Sequence, residues 1–417
     1  MTGLADCNNF FVSCERTLDP TLEGRAVVVL SNNDGCVVAR SNEAKRLGIR
    51  MGQPAFEIRD EITRGDVVAL SGNHLLYRAI SIRIHDIFRR YAPRTLDYSV
   101  DEAFLDMDGI PDNALADIGE AICKSCMDEE RIPVTIGFAP SKTLAKVATE
   151  HGKKQGHRVV VLDNREEIER LLFQIPIKDL WGIGRRLTKR LYLKGVYTIG
   201  DFAAKERIWV RGELGITGER TWRELHGERC IELDHVDRRL QDSVSESRTF
   251  PVDIDDFDYL RSRIAMYCGH VARRLRIMEG QCEEITVWLA TNRFHLERGY
   301  AAPTATTRFD IPVSDSAVIT SAGIMLLEHI YDPASCYKRA GVVLNRITPA
   351  RTLSPTLFEE LEVQREAALK SRRLMKAIDN VNKTAGQQTL RLAVELSKGH
   401  IGHNDGYSSS FGPAKPL

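Results

Sequence analysis

Apolar and polar positions divide the chain into short β-branched runs separated by stretches with helical spacing. Leu4 to Asp6, a short apolar opening ended by Asp6, and Ala26 to Leu30, a β-branched run, read as buried strands. Ser31-Asn32-Asn33-Asp34-Gly35 has turn chemistry throughout, and Val37 to Arg40 is a further strand. Ser41 to Gly48 predicts a helix with a serine N-cap and a glycine stop. In a longer helix over 73–90, Leu76, Ile80, Ile84 and Ile87 fall close to one face. A helix over 112–129, a strand over 134–138, a helix from Ser141 through Glu150 and a strand over 159–162 follow.

That order, with a strand–strand hairpin around residues 95–106, is what a split βαβ, ferredoxin-like sheet gives. The first strand of such a sheet is central and lies beside the hairpin, so Asp6 is expected to face Asp101 and Glu102. These two acids interrupt the strand-like run Tyr98-Ser99-Val100-Asp101-Glu102-Ala103-Phe104-Leu105-Asp106. Acidic side chains are depleted in strands, and uncompensated charges near a core cost several kcal/mol. Three carboxylates converging from two strands make a hard, oxygen-rich pocket suited to Mg²⁺ rather than zinc. A solvated turn is the alternative reading of the Asp101-Glu102 pair.

From Ile175 the character changes. Helical pieces flank Gly182-Ile183-Gly184, and Arg185, Arg186, Lys189 and Arg190 follow at once. A helix–hairpin–helix of this kind can hold a phosphate on backbone N–H groups and a helix N-terminus; a helical hairpin with a solvated basic face is the alternative. Gln241 to Arg248 reads as a polar tether. Beyond it, helices over 257–278 and 317–331 alternate with strands over 285–289 and 339–344, which predicts a second, smaller α/β unit. From Arg351 the chain reads as helical and charged, and then as a Gly/Ser-rich tail over 407–412.

Composition changes this picture little. A chain of 417 residues and 46.9 kDa is too long for one core, so about two to four domains are expected. With 43% hydrophobic and 28% charged residues it is globular rather than disordered. Its 58 basic and 58 acidic residues balance, so any nucleic-acid contact must come from local patches. No apolar run approaches a membrane span, and the start lacks the basic and apolar regions of a signal peptide. Nine irregularly spaced cysteines suggest reduced thiols in a cytoplasm, and the Cys123/Cys126 pair reads as idle or buried rather than as a zinc site.

Asp6-Cys7-Asn8-Asn9-Phe10-Phe11-Val12-Ser13-Cys14-Glu15 and Tyr98-Ser99-Val100-Asp101-Glu102-Ala103-Phe104 resemble the two acidic motifs of the Y-family translesion DNA polymerases. The stretch from Val29 to Arg40, with Glu43-Ala44-Lys45, is similar to the UmuC-like members. The resemblance implies an α+β multidomain right-hand polymerase: a ferredoxin-like palm (1–12 and 73–168), small fingers (13–72), a helix–hairpin–helix thumb (169–240), an α/β little finger (241–350) and a C-terminal tail or adaptor (351–417). It implies error-prone, template-directed synthesis past lesions in the SOS response, by two-metal nucleotidyl transfer.

By that resemblance two Mg²⁺ ions are held by Asp6, Asp101, Glu102 and the carbonyl of Cys7, with the three carboxylates as catalytic residues. Phe11 falls at the steric gate that excludes a 2′-hydroxyl, with Phe10 stacked beside it; core packing is the other reading of Phe11. Lys45 and Lys153 match triphosphate-gripping positions, Asn42 stands where many relatives carry Tyr, and Val38 and Met51 roof the templating base. Arg40 and Arg46 are helpers or solvated cations, and Glu15 and Asp106 are structural or solvated. Gly182, Gly184, Arg185 and Arg186 hold the duplex backbone. Leu357 and Phe358 keep the hydrophobic plug of a sliding-clamp motif that lacks its glutamine, which implies a weak contact. The implied partners are primer–template DNA, dNTPs, a UmuD-type dimer and RecA, in a cytoplasmic, nucleoid-associated protein. Two alternatives remain at this level. A nucleotide cyclase on a palm-like sheet has no use for the Gly-x-Gly turn, and a non-catalytic DNA-binding repair scaffold has none for the acidic set.

Overall fold

The computed structural model describes residues 1–32, 35–231, 240–295, 299–350, 360–386 and 389–396, with the side chains of 360–369 excepted. Two compact units divide the chain, meeting in sequence between residues 231 and 240.

The first unit carries, in order, β1 (Thr2–Cys7), α1 (Phe10–Leu18), β2 (Ala26–Leu30), β3 (Val37–Arg40), α2 (Asn42–Arg46), α3 (Arg59–Arg64), β4 (Val67–Ser71), α4 (His74–Tyr91), β5 (Arg94–Asp97) and β6 (Glu102–Asp106). It continues with α5 (Leu115–Glu130), β7 (Val134–Ala139), α6 (Lys142–Gln155), β8 (Val159–Val161), α7 (Arg165–Gln174), α8 (Arg185–Leu193), α9 (Ile199–Ala203) and α10 (Arg207–Leu225). Its main sheet has the order β5-β6-β1-β7-β8, so the first strand is central, in keeping with the burial of all six of its residues. Alternation splits β1 between two cores. Ala5 packs with Leu76, Ile80 and Ile84 of α4, whereas Leu4 packs with Leu144 and Ala148 of α6. Asp6, two residues beyond Leu4, therefore lies on the α6 face, as does Glu102, two residues before Phe104.

A single glycine sets how close α6 comes. Gly137 pairs with Leu4 in the ladder, and a Cβ there would lie 2.3 Å from the Thr149 amide nitrogen and 2.6 Å from the Ala145 carbonyl oxygen. Thr149 Oγ1 bonds the Leu4 carbonyl oxygen at 3.0 Å, which fixes the helix over the middle of β1. Ser141 caps α6 as expected, but the helix runs on to Gln155 instead of ending at Glu150. At the same end, the buried Glu224 of α10 accepts from Thr143 N at 2.8 Å and from Cys230 N and Ile231 N at 3.0 and 3.1 Å.

A small sheet of order β3-β2-β4 is inserted after α1, with β2 parallel to β4. The sequence reading has neither β4 nor α3, although Val67 to Leu70 is an apolar run of strand length.

The second unit is a β11-β10-β12-β9 sheet carrying two helices: β9 (Ser243–Ile254), α11 (Phe257–Ile277), β10 (Gly280–Thr291), β11 (Thr304–Val313), α12 (Ser316–Ile330) and β12 (Tyr337–Pro349). The expected tether over 241–248 is corrected: Ser243 to Arg248 forms the first half of β9. It is an edge strand, where one ladder and one core face suffice, so only Val244 and Glu246 of that stretch are buried. A final helix, α13 (Glu360–Thr384), is docked on this unit through Asp379, which accepts from Arg276 Nε and Nη2 at 2.7 and 2.8 Å. No helix among the described residues is long and apolar enough to cross a membrane. All nine cysteines are free, and Cys123 and Cys126 are buried on α5.

Candidate active site

Asp6 and Glu102 are paired directly across the antiparallel β1–β6 ladder, and their side chains share a hydrogen bond. Two lysines of α6 close the cluster. Lys153 Nζ lies 2.5 Å from Asp6 Oδ2, and Lys146 Nζ lies 2.9 and 3.1 Å from the two oxygens of Glu102. Burial raises the Asp6 carboxyl far above the usual carboxylate range, even against the attraction of Lys153. Burial also pushes Glu102 up, but the bond from Asp6 and the Lys146 ammonium outweigh it and hold Glu102 low. The pair thus favours holding one proton between its two carboxyls.

Asp101 is brought beside the pair by the Cys7 N–H to Asp101 carbonyl bond at 2.9 Å, yet its carboxylate takes the Ser99 hydroxyl at 2.6 Å. The expected convergence is therefore met for two carboxylates, whereas the third is adjacent in backbone but turned to Ser99. Among the described residues no three His, Cys, Asp or Glu side chains stand in ligating positions. The Cys7 thiol is buried and held neutral, first by desolvation, so it offers no thiolate to this pocket. The donor set nonetheless suits a hard cation. The carboxylate oxygens here, with the Cys7 carbonyl next in sequence, are hard donors, and the two lysine ammoniums already seated on Asp6 and Glu102 show that the pocket attracts positive charge.

Phe11, on α1 five residues beyond Asp6, is half-buried and stacks on Tyr77 at 4.3 Å and 15°, edge-on to His74 at 5.8 Å. Tyr77 is itself held by Glu15, whose Oε1 accepts its hydroxyl at 2.5 Å. Phe10 is 3% exposed in the core beneath α4, and its ring lies tilted beside that of Phe11, with centroids 5.9 Å apart at 49°. Glu15 and Asp106 are both buried, which makes them structural rather than solvated.

Lys45 Nζ bonds Asn9 Oδ1 at 2.6 Å and Asn42 Oδ1 at 3.1 Å, and Asn42 Oδ1 also accepts from Asn9 Nδ2 at 3.1 Å. Burial, then the Arg40 and Lys153 charges, depress the Lys45 ammonium against the opposing pull of Glu150 and Asp6. Val38 and Met51 are exposed on the inserted segment. Gly182 has φ +88° and Gly184 caps α8, with Arg185 and Arg186 exposed at its first turn. Arg190 is committed to Glu213 at 2.7 Å, so the basic face reduces to Arg185, Arg186 and Lys189. Leu357 and Phe358 lie outside the described residues.

Sequence reading missed Tyr77 and Lys146. The available signal for Lys146 was its spacing from Lys153, two helical turns along one helix.

Three family models match in register with this architecture: impB/mucB/samB over residues 5–150, the helix–hairpin–helix motif of that family over 165–196, and its C-terminal domain over 241–357. UmuC of Salmonella typhimurium is 36% identical over 94% of this chain and 93% of its own. The chain belongs to the impB/mucB/samB family, the UmuC-type Y-family DNA polymerases. The wider family reaches DNA polymerase IV of Moorella thermoacetica, 30% identical over 94% of this chain and 96% of that one. In fold, a chimeric Y-family DNA polymerase superposes with a TM-score of 0.68 at 21% identity, over 83% of this chain and 98% of its own.

Proposed function

We propose that this Y-family member performs template-directed translesion synthesis by two-metal nucleotidyl transfer from a dNTP to a primer 3′-hydroxyl. The observation that carries the reading is the Asp6–Glu102 pair on one sheet face, with Asp101 adjoining and cations already seated on it. Asp6, Asp101, Glu102 and the Cys7 carbonyl would hold two Mg²⁺ ions, which supply charge neutralisation for the triphosphate and acidify the attacking hydroxyl.

The protein's own groups do the rest. Lys45 and Lys153 meet the triphosphate, Asn42 orients Lys45, and Phe11 on its Tyr77 support lies under the sugar. Val38 and Met51 cover the templating base with little area, which leaves a distorted base uninspected. The Gly182–Gly184 turn and Arg185 and Arg186 bind the duplex backbone, which positions DNA without reading sequence. The ranges 1–12 with 73–168, 13–72, 169–240 and 241–350 act as palm, fingers, thumb and little finger. An SOS role with a UmuD-type dimer and RecA extends the reading, supported by the kinship to UmuC, and the polymerase works on DNA in the cytoplasm.

Primer extension on damaged and undamaged templates tests it. Asp101→Asn should abolish extension while DNA affinity stays within about twofold; normal extension by that variant would refute the assignment.

A further inference from the structure

Lys146 does more than neutralise Glu102. Its ammonium also lies 5.1 Å from the centroid of the Tyr98 ring and 5.7 Å from that of Trp181. The two rings meet edge to face at 5.7 Å and 90°, and Trp181 Nε1 donates to the Tyr98 hydroxyl at 3.2 Å. An ammonium over two electron-rich faces is held there without any anion. Trp181 immediately precedes Gly182, whose positive φ starts the hairpin turn, so the backbone of that turn sets where the indole sits.

Resting on the polymerase reading above, we propose that Lys146 is a positioning residue that shuttles between Glu102 and the Tyr98–Trp181 cage, and so links the hairpin turn to metal loading. In the structure Lys146 reaches both oxygens of Glu102, and a carboxylate so engaged presents no free oxygen pair to a divalent cation. Metal loading requires the ammonium to withdraw. The cage is the place it withdraws to, since it already borders the two rings and needs only to give up its bonds to Glu102. A turn that holds Trp181 in place favours the withdrawn position; loss of the indole sends the ammonium back to the carboxylate. Among the described residues Lys153, which bridges Asp6 and Glu150 in this structure, borders no aromatic cage.

The two halves of the device act with opposite sign. Lys146→Met removes the competing charge and should tighten divalent-metal binding roughly fivefold, as suits a partly exposed ion pair. Trp181→Leu removes the refuge and should weaken binding by a similar factor. In the double variant Trp181→Leu should have no further effect, because it acts only through Lys146. Lys146→Arg keeps a cation on Glu102 and should stay near wild type. The measurement is isothermal titration of Mn²⁺ into the full chain with primer–template DNA and no nucleotide, which is independent of turnover. Equal affinities for wild type and Lys146→Met, or a Trp181→Leu effect that persists without Lys146, would overturn the proposal while leaving the polymerase reading intact. Wild-type protein that takes up no Mn²⁺ would overturn both.

Discussion

Asp6 and Glu102 face each other across the β1–β6 ladder and hold one proton between them, with the Asp6 carboxyl raised to about 8 by burial. A metal ion entering this pocket must displace that proton. Metal affinity should therefore rise with pH up to about 8 and level off above it, because only the ionised form of Asp6 binds the cation. Calorimetry in buffers of different ionisation heat should show close to one proton released per site at neutral pH and fewer in alkali. The metal-free protein carries the opposite linkage: a carboxyl raised on folding contributes stability below its unfolded value, and that stability is lost as pH climbs toward 8. Pre-ionised carboxylates would give an affinity flat across the neutral range, and that result would remove the shared proton.

The Phe11 ring owes its place to Tyr77, which stacks on it at 4.3 Å and is in turn tied to Glu15. Phe11→Ala should raise ribonucleotide incorporation at least about tenfold, the scale of removing one well-placed steric contact. Tyr77→Leu should raise it less, since the gate remains but can recede. Competition between dNTP and rNTP in single-nucleotide insertion reads both. An unchanged sugar preference in Phe11→Ala would return that residue to plain core packing.

The sequence made the acidic pair visible because adjacent charges in a strand-like run contradict their surroundings, and the order of elements put Asp6 beside them. The lysines that complete the pocket were less visible. Lys146 and Lys153 reach the acids only because Gly137 lets α6 descend onto β1, a contact between residues with no local pattern in common. Phe10 and Phe11 show the same limit from the other side: neighbours of one type, in ring contact with each other, are separated by helix phase into a fully buried and a half-buried ring. Ser243 to Arg248 failed as a strand signal because an edge strand buries too little to require a clean alternation.

Glu224 fastens α10 to the start of α6, with no exposed surface and three backbone N–H groups directed at its carboxylate. Glu224→Ala leaves those donors buried without an acceptor and should cost about 2–4 kcal/mol. Glu224→Gln keeps one good acceptor and should cost less. Denaturant unfolding measures both, and a loss under about 0.5 kcal/mol in the alanine variant would mean that water replaces the carboxylate.

Arg185 and Arg186 emerge at the first turn of α8 with no ion pair among the described residues, while Arg190 on the same helix is bound to Glu213. The distinction predicts different salt behaviour. If the two free guanidinium groups neutralise phosphates, Arg185→Ala and Arg186→Ala should each lower the slope of log K against log salt by about 1. The loss of affinity should be the same for any duplex sequence, because phosphates carry no base identity. Arg190→Ala should leave the slope unchanged, since its charge is spent within the protein. Fluorescence anisotropy over a salt series with two unrelated primer–templates separates the cases, and equal slopes for all three variants would detach the hairpin turn from the duplex.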